Sequence, residues 1–166
     1  MPRTWREWLV LACGALVLVA VNAGILGRER HLAEGRVVLL ELAPVDPRSL
    51  MQGDYMALRF KAETEAFARD PAKDGENGRL VVTLDARGVG SFVRRDDGAP
   101  LADGEVALKY RVRAGNVKFA TNAYFFREGT GATYEAARYG EFRVDKTGEL
   151  LLARLRGKNL EALGPR

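Results

Sequence analysis

The chain has 166 residues, of which 47% are hydrophobic and 29% are charged, so its composition is that of a folded protein and excludes a disordered one. Its formal net charge of +4 is small, and its basic residues are interleaved with acidic ones, which does not indicate nucleic-acid binding. The single cysteine, Cys13, cannot form an internal disulfide. It lies inside an apolar stretch and the single histidine, His31, lies next to that stretch, so the sequence indicates neither a zinc site nor a catalytic Cys–His pair. We therefore predict no metal and no cofactor.

The first predicted element is a membrane-spanning helix. Residues 8–27 carry no charge, and 20 residues of α-helix span about 30 Å, the thickness of the hydrocarbon core of a bilayer. Arg3 and Arg6 precede this stretch, as basic residues do in an export signal. The sequence thus predicts a cytoplasmic flank over residues 1–7 and a single-pass anchor in the inner (cytoplasmic) membrane over residues 8–27. Residues 28–166 form the predicted extracytoplasmic domain, which is periplasmic in a Gram-negative cell.

A cleaved signal peptide is the alternative to this anchor. Residues 21–23 offer small side chains near a plausible cleavage point, although the apolar stretch is long for a signal peptide. A lipid anchor at Cys13 is disfavoured, because the residues before it fit a lipidation box poorly and the apolar stretch continues past it. The anchor and the signal peptide both export the domain.

The exported part predicts a series of short strands separated by turn signals. Val- and Leu-rich or alternating segments favour strands over residues 36–43, 55–60, 79–85, 90–95, 105–113, 117–120, 123–126, 141–145 and 149–156. The clearest alternation, over residues 105–113, places Val106, Leu108, Tyr110 and Val112 inward. A short helix is expected within residues 61–78, and a more convincing one over residues 130–139, where Gly140 would end it. The predicted fold class is α+β: a mainly antiparallel β domain with one short helix in its C-terminal half, preceded by a single N-terminal transmembrane helix.

Two blocks of the sequence resemble a known family. Residues 53–60 read GDYMALRF, and residues 124–148 contain YFFREG, then YEAARYG and FRVD. Together with the N-terminal helix, these blocks are similar to the GDYXXLXY family of uncharacterised membrane-anchored bacterial proteins. Phe60 departs from the pattern, since the family name has tyrosine there. The resemblance implies membrane anchoring and association with multi-spanning membrane proteins.

A weaker resemblance raises an enzyme as the alternative. Residues 50–54 (LMQGD) are similar to the end of the element that carries the catalytic serine in signal peptidases. In that register Val45 takes the place of the nucleophile, Ser49 falls four residues later, and no lysine offers itself clearly as a base. The resemblance therefore does not extend to the chemistry. An acid-residue hydrolase using Asp54, Glu128 or Glu135 remains the enzyme alternative.

The candidate binding residues come from the two blocks. Tyrosine and arginine are typical of interface hot spots, and Tyr55 and Arg59 fall on the strand face opposite Met56, Leu58 and Phe60, which we expect in the core. The complete set is Gly53, Asp54, Tyr55, Arg59, Glu128, Tyr134, Glu135, Tyr139 and Arg143.

Each candidate has a structural alternative. Asp54 can simply hold its turn, the two glutamates can be solvated or paired with Arg138 or Arg143, and one of Tyr134 and Tyr139 is expected in the core.

The sequence thus predicts a membrane-anchored accessory or binding module for a polytopic membrane protein or an envelope ligand. A purely structural envelope protein is the third alternative. We also expect the turn at Gly53 and the segment around Tyr134 to lie on one side of the domain, as a shared binding site requires.

Overall fold

A computed structural model describes residues 5–43, 51–52 and 55–164. Gly53 and Asp54, together with the Val45 and Ser49 positions of the signal-peptidase comparison, lie outside the described residues. Within the described ranges the helices are α1 (Trp5–Glu34) and α2 (Lys61–Phe67), and a 3-10 turn covers Gly131–Tyr134. The strands are β1 (Arg36–Glu41), β2 (Met51–Gln52), β3 (Tyr55–Ala57), β4 (Asn77–Leu84), β5 (Val89–Arg95), β6 (Glu105–Arg113), β7 (Asn116–Lys118), β8 (Ala123–Phe125), β9 (Tyr139–Val144) and β10 (Leu150–Arg156).

Seven strands form one large sheet in the order β10-β9-β1-β5-β4-β6-β7, and β2-β3-β8 form a small one. Among the described strands all neighbours are antiparallel except β1 and β5, which are parallel. The large sheet curls until β6 meets the β9–β10 hairpin, where the amide of Lys109 donates to the carbonyl of Gly148 over 2.8 Å. Gly148 has a φ of 85°, and a Cβ there would lie 2.7 Å from the carbonyl oxygen of Ala107. The curl therefore requires glycine at this position.

The core confirms the predicted strand faces. Val106, Leu108, Tyr110 and Val112 are all buried, whereas Lys109, Arg111 and Arg113 between them are exposed. The predicted core face of the first motif block is also buried, with Met56, Leu58 and Phe60 each at most 3% exposed. The α+β fold class and its mainly antiparallel sheet are thus confirmed.

The helices differ in detail from the prediction. The short helix expected within residues 61–78 is α2, but residues 130–139 contain only the 3-10 turn Gly131–Tyr134. The reason is the strand that follows. The amide of Arg138 donates to the carbonyl of Arg156, and Tyr139 already pairs with both Glu41 and Arg156, so the sheet engages the backbone groups that a longer helix would need.

A single residue, Gly35, separates α1 from β1. Its amide donates to the carbonyl of His31 over 2.9 Å, and a Cβ on it would lie 2.5 Å from that carbonyl and 3.0 Å from the Cβ of Arg143. The His31 ring nitrogen Nε2 also lies 2.9 Å from the carbonyl oxygen of Arg143 on β9. The end of α1 is therefore fastened to the large sheet, while the rest of the helix has no buried side chain and is long and apolar enough to cross a membrane.

Candidate binding surface

The two motif blocks meet in the small sheet. Strand β3 of the first block pairs antiparallel with β8 of the second, with Tyr55 opposite Phe125 and Met56 opposite Tyr124. The amide of Leu58 extends this ladder by donating to the carbonyl of Asn122 over 2.7 Å. Segments about seventy residues apart in the chain thus form neighbouring strands, which brings the described parts of the two blocks to one side of the domain.

The inner face of the small sheet is an aromatic cluster. The ring of Tyr134 lies 5.1 Å from that of Tyr124 and 5.3 Å from that of Phe126, and Tyr134 itself is buried. Burial raises the pKa of Tyr124, and a hydrogen bond with Tyr134 raises it further. Of Tyr134 and Tyr139, Tyr134 is the core residue, because it is buried whereas Tyr139 is only partly buried. It packs against the inner face of the second block.

The outer face carries two aromatic side chains. The rings of Tyr55 and Phe125 lie 5.7 Å apart in a tilted arrangement, and we call this pair the aromatic patch. Phe125 is 74% exposed, more than any other large hydrophobic side chain described in the chain. Among the described strands, β8 lies at the edge of the small sheet. Its outer backbone edge could therefore pair with a strand of another protein.

The other candidate residues fall in two places. Arg59, Glu128 and Glu135 are exposed at the surface of the motif blocks. Tyr139 and Arg143 instead lie on β9 of the large sheet, where a guanidinium nitrogen of Arg143 is 3.7 Å from the carboxylate of Glu141. General acid catalysis uses carboxyl groups sheltered from water, and neither Glu128 nor Glu135 has that shelter.

Sequence reasoning missed the central buried charge of the domain. The carboxylate of Glu141 is 2% exposed and lies on the face of β9 opposite the core residue Phe142. Arg156 donates to it from Nε over 2.6 Å, while Arg154 and Arg143 approach it at 3.8 and 3.7 Å. We call these four residues the Glu141 network. The sequence carried no signal for this network, because an unshifted hairpin that continues the pair of Leu152 and Phe142 would set Ala153 opposite Glu141. Only the register shift between Leu152 and Arg154 brings Arg154 to that position.

A second acid is constrained next to the first motif block. Glu63 lies in the first turn of α2, which begins directly after Phe60. Burial raises the pKa of Glu63, although a hydrogen bond from the backbone of Phe60 and the charge of Arg59 act in the opposite direction. One of its oxygens, Oε2, is buried without a hydrogen-bond partner among the described residues. This carboxyl group is therefore more easily accommodated when it is protonated.

We expect Glu63→Gln to change how stability depends on pH. Because the folded-state pKa is raised, the contribution of Glu63 to stability is fully present below the ordinary glutamate pKa and is lost as pH rises through the raised value. Glutamine mimics the protonated form, so the variant should gain stability relative to the wild type at pH 7.5 and lose that advantage near pH 4. Urea unfolding of the full chain in detergent micelles, followed by circular dichroism, measures both.

Glu65→Gln on the same helix is the matched control, since Glu65 is exposed. Its unfolding midpoints should follow those of the wild type at both pH values. If Glu63→Gln also follows the wild type at both values, the burial of the Glu63 carboxylate carries no energetic cost.

The protein thus belongs to a class of small proteins in which a long apolar helix is joined through one residue to a curled, mainly antiparallel β domain. The described residues contain one candidate membrane span. The chain belongs to the GDYXXLXY family, because the family model described as GDYXXLXY protein matches residues 17–155, which is most of its length. Comparisons with curated proteins and with solved structures gave no significant match.

Proposed function

We propose that this protein is a membrane-anchored accessory subunit whose domain docks on a polytopic membrane protein through the aromatic patch. In this proposal α1 crosses the inner membrane with its N-terminus in the cytoplasm, and the domain lies on the periplasmic or external side. The length of the charge-free stretch supports the span. The arginine-bearing N-terminal flank, which is like that of an export signal, supports this orientation.

The exposure of Phe125 is the observation that carries the proposal. An aromatic side chain that is 74% exposed gains little from folding, whereas aromatic residues are enriched among interface hot spots. Tyr55 supports the ring of Phe125 from the neighbouring strand, so the patch is held in place before any partner arrives. Preorganisation of this kind lowers the entropic cost of binding.

A polar residue within α1 supports a partner inside the membrane as well. Asn22 lies in the charge-free stretch, and its side-chain amide donates to the carbonyl of Leu18 over 2.8 Å. The carbonyl oxygen of the same side chain remains available to accept a hydrogen bond from another helix. Polar side chains of this kind stabilise helix–helix contacts in bilayers, which favours a partner that itself spans the membrane.

We expect Phe125→Ala to lose the partner without losing the fold. A tagged full-length chain extracted in mild detergent should recover a stoichiometric multi-spanning protein. The variant should recover at least about ten-fold less, corresponding to about 1.4 kcal/mol of binding free energy. Its unfolding midpoint should remain close to that of the wild type, because the ring is largely exposed.

Val93→Ala is the matched control, because Val93 is an exposed apolar residue on β5 of the large sheet, away from the patch. It should recover the partner as the wild type does. Retention of the partner by Phe125→Ala, or an equal loss in Val93→Ala, would show that the aromatic patch is not the docking site.

A further inference from the structure

A cleft of about 780 Å³ separates the C-terminal end of α1 from the rim of the large sheet. One of its walls is the α1 face that includes Gly27, Arg30 and Glu34, and the opposite wall includes the turn of the β9–β10 hairpin. His31 contacts the carbonyl oxygen of Arg143 on β9, and the Arg143 guanidinium donates back to the carbonyl of Gly35, so the two walls are joined at the end of α1.

The height of the cleft along α1 places it beside the membrane surface. Gly27 lines the cleft and is also the last residue of the charge-free stretch. From Gly27 to Glu34 the helix rises by only about 10 Å. If α1 spans the membrane, as the proposed function holds, the cleft therefore opens at the level of the lipid headgroups.

The cleft is lined by basic side chains without acidic partners. Arg30, Arg36 and Lys146 line it, are exposed, and have no carboxylate within 4.0 Å among the described residues. A fourth cation, Arg79, is already bound to Asp96 at 2.6 Å. Three cationic groups thus face the same space from α1, from the start of β1 and from the hairpin turn.

Of the three acids that line the cleft, one is paired with an arginine that does not line it, and a second is held by hydrogen bonds within its own turn. Glu105 pairs with Arg94 at 3.0 Å. Burial alone would raise the pKa of Asp145, but hydrogen bonds from the hydroxyl and amide of Thr147 and from the amide of Glu149 outweigh it and lower the pKa. Asp145 keeps its negative charge, so Glu34 and Asp145 together oppose the three uncommitted cations, and the remaining excess of positive charge favours an anion.

We propose that this cleft binds the phosphate group of an anionic phospholipid in the adjacent leaflet. Guanidinium groups match the geometry of phosphate oxygens, and the lysine ammonium adds a third donor from the opposite wall. The position at headgroup height points to a lipid rather than to a phosphate free in solution. Cations near a membrane surface each add to the attraction for anionic lipid, so all three residues contribute to it.

The test is lipid binding to the purified full-length chain. The protein is delipidated in neutral detergent and titrated with phosphatidylglycerol, phosphatidylcholine or inorganic phosphate, and adducts are counted by native mass spectrometry. We expect at least ten-fold stronger binding of phosphatidylglycerol than of phosphatidylcholine. The triple variant Arg30→Gln, Arg36→Gln, Lys146→Gln should lose this preference.

The matched control is Arg69→Gln, Arg111→Gln, Lys118→Gln, which removes the same charge from exposed positions outside the cleft. It should retain the preference for phosphatidylglycerol. Equal binding of the two lipids by the wild type, equal loss in both triple variants, or inorganic phosphate displacing the lipid at equal concentration would each overturn the proposal.

Carbonate extraction of the membranes from which the protein is purified separates this inference from the proposed function on which it rests. Release of the protein from membranes by alkaline carbonate would show that α1 does not anchor it. The reason for placing the cleft at headgroup height would then be lost as well. A protein that stays in the membrane and retains its partner, yet shows no lipid preference, would refute the lipid site alone.

Discussion

Replacing Glu141 by glutamine should destabilise the protein by about 3 kcal/mol, near the lower end of the cost of breaking a buried ion pair. Glutamine has nearly the same shape as glutamate, so the loss reports the charge and not a cavity. Without the carboxylate, the guanidinium groups of Arg143, Arg154 and Arg156 would repel one another around a neutral side chain. Each of these arginines is partly exposed, which softens the repulsion and places the expected value at the lower end.

Urea unfolding of the full chain in detergent micelles, followed by circular dichroism, measures this loss. Glu149→Gln is the control. Glu149 lies in the same hairpin, but its side chain is 53% exposed and its ion pair with Lys109 is long, at 3.9 Å. It should change the free energy of unfolding by no more than about 0.5 kcal/mol. If Glu141→Gln unfolds at the same urea concentration as this control, the Glu141 network does not stabilise the fold.

Phe60→Ala should cost about 3–5 kcal/mol, the range for truncating a buried aromatic ring. The ring of Phe60 is 1% exposed and lies edge-on to two others, 5.2 Å from Phe142 and 5.8 Å from Phe119. A Cβ on Gly140 would approach it to 2.9 Å, so the backbone of β9 packs closely against its edge. Phe60 therefore joins the first motif block to β9, and its truncation leaves a cavity between them.

Phe125→Ala provides the comparison for this loss, since it removes the same side chain from an exposed site. The two variants should separate stability from binding: Phe60→Ala should unfold at a much lower urea concentration, and Phe125→Ala should not. Similar unfolding curves for the two would mean that the Phe60 ring contributes no more to stability than a surface ring.

Local patterns explain which parts of the fold were predictable. The alternation in residues 105–113 identified both faces of β6, and Ala114 and Gly115, with φ of 51° and 72°, form the tight turn expected after it. The face of the first motif block that carries Met56, Leu58 and Phe60 was likewise readable from period-two spacing. These features depend on neighbours in the chain.

Features that depend on distant pairing were not predictable. Alternation identifies β3 and β8 as strands, but it does not say that Tyr55 lies opposite Phe125. The helical pattern of residues 130–139 was overridden by the ladder that β9 forms with β1 and β10. Glu141 was counted as an ordinary strand residue, because its burial arises only when arginines from β10 cover it.

The junction at Gly35 has a mechanical consequence for a protein of this shape. With one residue between α1 and β1, and with His31 bonded to the backbone of β9, the domain has no tether on which to swivel. In the proposed anchored form, the direction in the membrane plane toward which Phe125 faces is then set by the rotation of α1 about its own axis. Each helical residue advances that rotation by about 100°. Inserting or deleting one residue in α1 would therefore turn the domain by about 100° relative to the face of α1 that contacts a partner helix.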